Sequence, residues 1–149
     1  MLIKGTIKEF LSTDHSKCDE LFAKMEDIAN KSISEAKESY EKFAQETERH
    51  FQMEEKVMFV EFEQKTGMTQ GPTAMMRQEH TQMRSLISQL AGAIETNNKD
   101  KFFGLSETLM ILMQQHNMKE EQMLYPMAGQ HLAAESDRII TMMDSLVVE

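Results

Sequence analysis

Histidines in this chain are followed, four residues later, by a carboxylate that could bind the same metal ion. The pairs of interest are His15 with Asp19, His50 with Glu54, and His116 with Glu120. Residues four apart on a helix share a face, with Cβ atoms about 5–6 Å apart. Because 25 of the 149 residues are acidic, one such pair by itself means little, and the positions of the pairs along the chain carry more weight.

Two of these pairs begin related strings in the two halves of the chain. Residues 50–60 read HFQMEEKVMFV, and residues 116–126 read HNMKEEQMLYP. Each string has a histidine, two consecutive glutamates starting four residues later, and then an apolar run with an aromatic residue. The repetition indicates that each half of the chain contributes the same set of groups to one site.

The positions of the histidines along the chain place them at common levels. His15 and His50 are 35 residues apart, and His80 and His116 are 36 residues apart. If each interval is a helical hairpin, each histidine lies about 15 or 16 residues, or roughly 23 Å, from its turn. The levels of the two hairpins differ by about 12 Å at 1.5 Å per residue, which an extended loop of about five or six residues could span.

A buried layer of four histidines and two glutamates would be costly without a partner, because buried carboxylates are paired or coordinate a metal. A set of nitrogen and oxygen ligands with no thiolate suits iron, manganese or zinc. Two carboxylates from opposite hairpins could bridge two ions about 3.5–4 Å apart. The residues therefore predict a binuclear metal site to which each hairpin contributes one histidine-glutamate string.

Helices must carry these residues, because apolar residues recur at three- and four-residue spacing and the chain has only two prolines and six glycines. The predicted helices cover about 6–29, 34–66, 72–96, 100–125 and 132–148, with no strands. Gly67 is predicted to end the second helix, and Pro72 to begin the third. The predicted fold is all-α, an antiparallel up-down four-helix bundle with an additional C-terminal helix.

Length and charge limit the class of protein. We expect residues 1–149 to form one domain, with the bundle at about 6–127 and the C-terminal helix at about 132–148. The net charge of −9 argues against a nucleic acid or a membrane surface as a partner. One cysteine and no long apolar segment favour a cytoplasmic protein. The C-terminal helix is expected to pack on the bundle, although a dimer contact is an alternative, so a monomer and a homodimer both remain open.

These motifs resemble the hemerythrin-like, HHE cation-binding family in its bacterial form. Over about residues 10–127 the chain has a lone histidine, His-x-x-x-Glu, a histidine preceded by Glu79, and His-x-x-x-Glu-Glu ahead of MLYP. The resemblance implies two non-heme, carboxylate-bridged iron ions inside a four-helix bundle. The ligands it implies are His15, His50, Glu54, His80, His116 and Glu120, with Glu54 and Glu120 as the bridges.

Two features depart from the oxygen-carrying hemerythrins. Those proteins have a second histidine four residues from the histidine of the third helix, where this chain has Met76 and Arg84. They also place the last bridging carboxylate five residues after its histidine, at Glu121 here. The four-residue spacing of the first hairpin favours Glu120. A ferritin-like site would need Glu-x-x-His, but the residues three before the histidines are Ser12, Thr47, Arg77, Met113 and Ala128.

The residues beside these ligands are interpreted as support or core. Asp19 and Glu79 are candidates to hydrogen-bond to the ligands. Glu55 and Glu121 are expected to face solvent or to pair with lysine and arginine. Tyr125 could donate a hydrogen bond near the metals, and core packing explains it equally well. Two further residues are expected to lie outside the ligand set, His131 as a surface residue and Cys18 as a buried thiol.

Reversible binding of dioxygen, for storage, delivery or sensing, is the leading functional hypothesis. The alternative is a role in oxidative or nitrosative stress, either protecting or repairing iron-sulfur centres or reacting with peroxide or nitric oxide. The missing fifth histidine favours this alternative, because a more open site favours chemistry over carriage. An iron-responsive module is a third possibility. In each case the expected partner is dioxygen or another small diatomic ligand, and a binding protein is favoured over an enzyme.

Overall fold

The computed structural model describes residues 5–149, and within them the chain forms helices and no strand. The helices are α1 (Ile7–Lys31), α2 (Lys37–Met53), α3 (Phe59–Thr66), α4 (Pro72–Glu95), α5 (Lys99–Lys119), α6 (Tyr125–His131) and α7 (Ser136–Asp144). A π-helical turn at Glu54–Met58 joins α2 to α3, and a second at Glu120–Leu124 joins α5 to α6. The four rods α1, α2–α3, α4 and α5–α6 form the bundle, and the predicted all-α fold is confirmed.

Local sequence explains where the rods begin and end. Thr6 and Glu9 form a capping box, in which the Thr6 hydroxyl accepts from the Glu9 N–H at 3.0 Å. Gly67 ends α3 with φ at +74°, a left-handed conformation that glycine adopts without steric cost. Pro72 is the first residue of α4, where its missing N–H is not needed. The Asn98 side chain accepts from the Lys101 N–H and starts α5.

Some element boundaries differ from those predicted. The first helix is one unbroken segment to Lys31, and the C-terminal helix is shorter than expected, at Ser136–Asp144. The fourth rod continues past Pro126 to His131 instead of ending near residue 125. Pro126 is tolerated there because it lies in the first turn of α6, directly after the π-helical turn.

A polar layer separates two apolar clusters inside the bundle. One cluster includes Leu11, Met58 and Leu124, and the other includes Phe22 and Met83. The buried polar layer between them contains His15, His50, Glu54, His80, His116 and Glu120. The polar layer is therefore flanked by apolar side chains of both clusters.

Helix α7 completes the first of these clusters. Its buried residues Ile139, Ile140 and Met143 pack with Ile7 and Leu11 at the end of the bundle. This contact is the packing role expected for the C-terminal helix. Among residues 5–149, none of the helices combines the length and the hydropathy needed to cross a bilayer.

Candidate metal centre

The structure brings the six predicted ligand residues together in two overlapping groups. The first, called the His15/His50 group, consists of His15, His50, Glu54 and Glu120. The second, called the His80/His116 group, consists of Glu54, His80, His116 and Glu120. Within each group, one nitrogen or oxygen atom from every residue lies within 4.8 Å of the others. Glu54 and Glu120 are fully buried and belong to both groups, which suits two ions with shared carboxylates.

The Nε2 atom of each histidine faces one of the two shared glutamates. Glu120 Oε1 lies 3.0 Å from His15 Nε2 and 3.2 Å from His116 Nε2. Glu54 Oε1 lies 3.1 Å from His80 Nε2 and 3.6 Å from His50 Nε2. Each glutamate therefore contacts one histidine from each hairpin, as a bridge between the hairpins would.

The other ring nitrogen of each of these four histidines donates to a carboxylate outside these groups. The Nδ1 distances are 2.7 Å from His50 to Asp14, 2.8 Å from His116 to Glu79, 2.6 Å from His80 to Glu55, and 2.7 Å from His15 to Glu121. Such a carboxylate fixes the ring orientation and keeps the proton on Nδ1. The Nε2 lone pairs are then free to bind a cation at the centre of the layer.

The contacts of the histidine nitrogens explain why residues 50–60 and residues 116–126 each contain two consecutive glutamates. The first, Glu54 or Glu120, faces the centre. The second reaches across to the other hairpin, so that Glu55 holds His80 and Glu121 holds His15. The expectation that Glu55 and Glu121 only face solvent or pair with basic residues was therefore incomplete.

Asp14 is a supporting residue that the sequence interpretation missed. Its carboxylate accepts from His50, whereas Asp19, at the expected helical spacing from His15, belongs to neither group. A signal was present in the sequence, because Asp14 immediately precedes His15 just as Glu79 immediately precedes His80. In both hairpins this acid holds the histidine of the neighbouring helix rather than the one beside it.

The electrostatics of the layer favour bound positive charge. Burial by itself lowers the pKa of His116, but Glu120 and the other nearby carboxylates raise it to about 9. Burial likewise lowers the pKa of His50, and Glu54 and Asp14 raise it well above its usual value. The pKa of Glu54 lies well below its usual value because His50 and further hydrogen bonds outweigh the effect of burial. Either protons or metal ions can supply that charge.

Unpaired buried atoms show that the donor set fits a metal. Glu54 Oε1, Glu120 Oε2, His80 Nε2 and His116 Nε2 have no hydrogen-bond partner among the described residues. With the proton on Nδ1, an Nε2 atom and a carboxylate oxygen 3.1 Å apart are two facing acceptors, as at His80 and Glu54. Facing acceptors in a buried site are stabilised by a cation between them. Imidazole and carboxylate together suit iron, manganese or zinc.

Comparison with known families agrees with this geometry. Residues 6–128 match the family described as the hemerythrin HHE cation binding domain. The chain belongs to this family. No curated protein and no solved structure gives a significant match to this hemerythrin-like domain. The predicted resemblance is confirmed, and the polar layer lies within the matched part of the chain.

Tyr125 lies inside the hemerythrin-like site, where the sequence interpretation had left its role open. Its hydroxyl oxygen is 2.5 Å from Glu54 Oε2, 3.0 Å from Glu120 Oε1, 3.1 Å from His15 Nε2 and 3.5 Å from His50 Nε2. The ring is fully buried and stacks on His15 with 5.6 Å between centroids. Burial and the adjacent Glu120 and Glu54 carboxylates raise the pKa of Tyr125 well above its usual value.

A fifth histidine would lie four residues before or after His80, and neither residue at these two positions can act as a metal ligand in its place. Met76 is buried in the first apolar cluster. Arg84 donates to Glu48 at 2.8 Å and to Glu55 at 2.9 Å, and its guanidinium lies 5.2 Å from the centroid of Phe51. Arg84 therefore supports the carboxylate that holds His80 and contributes no ligand of its own.

A surface groove of about 630 Å³ reaches the edge of the hemerythrin-like site between α1 and α5. Phe22 and Met113 line its apolar side, and Asp19 and Glu121 line its polar side. Glu121 is 38 % exposed while it holds His15. The groove therefore exposes to solvent the carboxylate that holds His15.

Proposed function

We propose that this hemerythrin-like domain holds two iron ions and binds dioxygen reversibly, for storage, delivery or sensing. The observation that carries the proposal is the pair of four-residue groups that share Glu54 and Glu120 in a buried layer. A nitrogen- and oxygen-rich donor set without thiolate supports iron. A ferrous pair, when bound, supplies the electrons and the open coordination position that dioxygen requires.

In this proposal His15 and His50 hold one ion, and His80 and His116 hold the other. Glu54 and Glu120 bridge the two ions. Glu120 is favoured over Glu121 because it is fully buried and belongs to both groups, whereas Glu121 is engaged at the far side of the His15 ring.

The surrounding side chains support binding over turnover. Phe51 stacks on His80 with 4.1 Å between centroids, and Phe59 stacks on it at 5.8 Å. These rings and the two apolar clusters limit access of water and protons to the His80/His116 group. A small apolar ligand is stabilised in such surroundings, and a charged one is not.

The proposal is tested with anaerobic, ferrous-loaded protein, whose optical spectrum is recorded as oxygen is admitted and then removed by purging. We expect a charge-transfer band that appears with oxygen and fades on purging. A band that persists after purging means oxidation of the centre and contradicts reversible binding.

A matched pair of variants tests the metal assignment in the same experiment. Glu120→Ala is expected to lose both ions, because the bridge serves both. Glu107→Ala changes an exposed glutamate of the same rod, in α5, and should keep full metal content. Full iron content in Glu120→Ala would exclude Glu120 as a bridging ligand.

A second candidate function is a role in oxidative or nitrosative stress, with the centre reacting with peroxide or nitric oxide, or protecting iron-sulfur centres. The observation that favours it is the lack of a histidine at Met76 and Arg84, which leaves two histidines in each group. A centre with fewer nitrogen ligands has more positions open to exogenous molecules. The persistent band described above, together with consumption of added peroxide or nitric oxide, would favour this function.

A further inference from the structure

We infer that Tyr125 is a fifth protein ligand, bound through its phenolate oxygen to the ferric ion of the His15/His50 group. The two halves of the centre are then chemically unequal. This inference rests on the proposed function, because it requires iron in the site.

The position of the Tyr125 hydroxyl carries the inference. The oxygen lies 2.5 to 3.5 Å from one atom of each of the four residues in the His15/His50 group. Adjacent ligand atoms of a six-coordinate ion are separated by about 3 Å when the metal-ligand bonds are about 2.0–2.2 Å, the range for nitrogen and carboxylate ligands of zinc. Each ligand atom of a six-coordinate ion has four such neighbours at once. The Tyr125 oxygen has four neighbours near this separation, as a ligand to such an ion would have.

The internal repeat identifies the residue that replaces Tyr125 in the other half. Tyr125 follows Glu120 by five residues, and its N–H closes the π-helical turn onto the Glu120 carbonyl. Phe59 follows Glu54 by five residues and closes its turn in the same way. Phe59 stacks on His80 with an interplanar angle of 16°, as Tyr125 stacks on His15 at 26°. The two positions therefore differ chemically by one hydroxyl group.

Because only Tyr125 has this hydroxyl group, the two ions have different roles. The phenol closes a coordination position in the His15/His50 group, whereas the phenyl ring of Phe59 offers no ligand to the His80/His116 group. His80 Nε2 and His116 Nε2 are two of the buried atoms without a hydrogen-bond partner in the described part of the chain. The exogenous small molecule consequently binds to the ion of the His80/His116 group.

When Tyr125 binds to the ferric ion, its hydroxyl group loses one proton and no electron is transferred. The O–H bond of Tyr125, directed at Glu54 Oε2, breaks, and a bond from the phenolate oxygen to the ferric ion forms. The proton passes to the buffer. The negative phenolate offsets part of the charge of the ferric ion, which lowers the tendency of that ion to bind a further anion.

The chain has only two tyrosines, which makes a spectroscopic test unambiguous. Protein loaded with ferric iron is examined by resonance Raman spectroscopy, with excitation into the visible charge-transfer band, and the iron content is measured in parallel. The variants are Tyr125→Phe, Tyr40→Phe as the matched control, and Phe59→Tyr. Tyr40 donates to the Ile87 carbonyl, remote from the centre.

We expect phenolate ring modes in the wild type and in Tyr40→Phe, and their loss in Tyr125→Phe when the intensity is compared per bound iron. Even if Tyr125→Phe fails to fold, modes retained in Tyr40→Phe can come only from Tyr125. Phe59→Tyr should add a second phenolate and roughly double the intensity of the modes per pair of ions.

Three results would overturn the inference. Wild-type protein that carries two iron ions but shows no phenolate modes overturns it while leaving the proposed function intact. Modes that disappear in Tyr40→Phe overturn it as well. Wild-type protein that takes up no iron overturns the proposed function, and the inference with it.

Discussion

At the scale of single residues, each histidine of the centre is held by two carboxylates with different tasks. One carboxylate faces Nε2 in the buried layer, and the other accepts from Nδ1 at the rim. The rim carboxylates Asp14, Glu55, Glu79 and Glu121 stand at 2.6 to 2.8 Å from their histidines. They are further supported in places, since Lys119 pairs with Glu79 and Arg84 with Glu55. The rim therefore determines how well the centre is organised before metal binds.

Glu121→Ala tests this role. Without the acceptor, the His15 ring loses its fixed orientation, and we expect a loss of about 10–100-fold in metal affinity. The affinity is measured by competition with a chelator of known strength. Glu107→Ala, which removes an exposed glutamate from the same rod, serves as the control. Equal affinities of the two variants would show that Glu121 does not position His15.

Cys18 gives a pH-dependent prediction close to the layer but outside the ligand set. Burial is the main cause that raises the pKa of this thiol from its usual 9.0 to about 11. Below that pKa the reactive thiolate is a minor species, about a hundredfold scarcer than for an ordinary thiol. Alkylation of the native protein should therefore be slow at pH 8 and accelerate about tenfold per pH unit up to the pKa. The rate is followed by mass spectrometry, with urea-unfolded protein as the control. Native protein that reacts as fast as unfolded protein would contradict the burial of the thiol.

At the scale of elements, the two π-helical turns decide the geometry of the site. Each begins at a glutamate of the buried layer and ends just before an aromatic residue that stacks on a histidine. A π-helical turn adds one residue within a helix, and such turns are frequent at functional sites. Here one turn joins the Phe59 N–H to the Glu54 carbonyl, and the other joins the Tyr125 N–H to the Glu120 carbonyl.

These turns also mark the limit of what could be predicted from the sequence. The helices followed from three- and four-residue spacings, because those spacings determine which side chains share a face. The six residues of the layer followed from the His-x-x-x-Glu spacing, from the 35- and 36-residue intervals between histidines, and from the family resemblance. The extra residue of a π-helical turn leaves no comparable mark, because Val57, Met58 and Leu124 continue the apolar pattern through it. The place of Tyr125 could not be derived for the same reason.

The ends of the elements give a stability prediction with an internal control. Gly67 has φ at +74°, where a Cβ atom costs roughly 1–2 kcal/mol. Gly67→Ala should lower the free energy of unfolding by about that amount. Gly104 lies inside α5, and no neighbouring atom is within 4 Å of an added Cβ. Gly104→Ala should therefore raise the free energy of unfolding by about 0.5–1 kcal/mol. Urea denaturation measures both, and a stabilising Gly67→Ala would contradict the left-handed cap.

At the scale of the whole molecule, the polar layer joins all four rods of the bundle. His15 lies in α1, His50 in α2, His80 in α4 and His116 in α5. Neither the relative level of the two hairpins nor their mutual rotation could be predicted from local spacing, because only contacts between the hairpins determine them. The bonds from Glu55 to His80 and from Glu121 to His15 are such contacts.

Bound metal should therefore stabilise the whole domain. At free metal a thousandfold above Kd, binding to the folded state alone contributes about 4 kcal/mol. For a chain of this size each kcal/mol raises Tm by about 2–4 °C. Thermal unfolding with and without ferrous iron under anaerobic conditions measures the shift, and chelator should reverse it. An unchanged Tm in protein that demonstrably contains iron would contradict a site that spans the rods.

The two hairpins of the bundle depend on each other for their function, so a substitution in one affects the other. Each half of the chain carries the acid that the histidine of the other half needs, so damage to Glu55 is not repaired by an intact Glu121. The halves must be inherited together. A single hairpin of this kind could form the complete layer only by pairing with a second hairpin that supplies the missing acids.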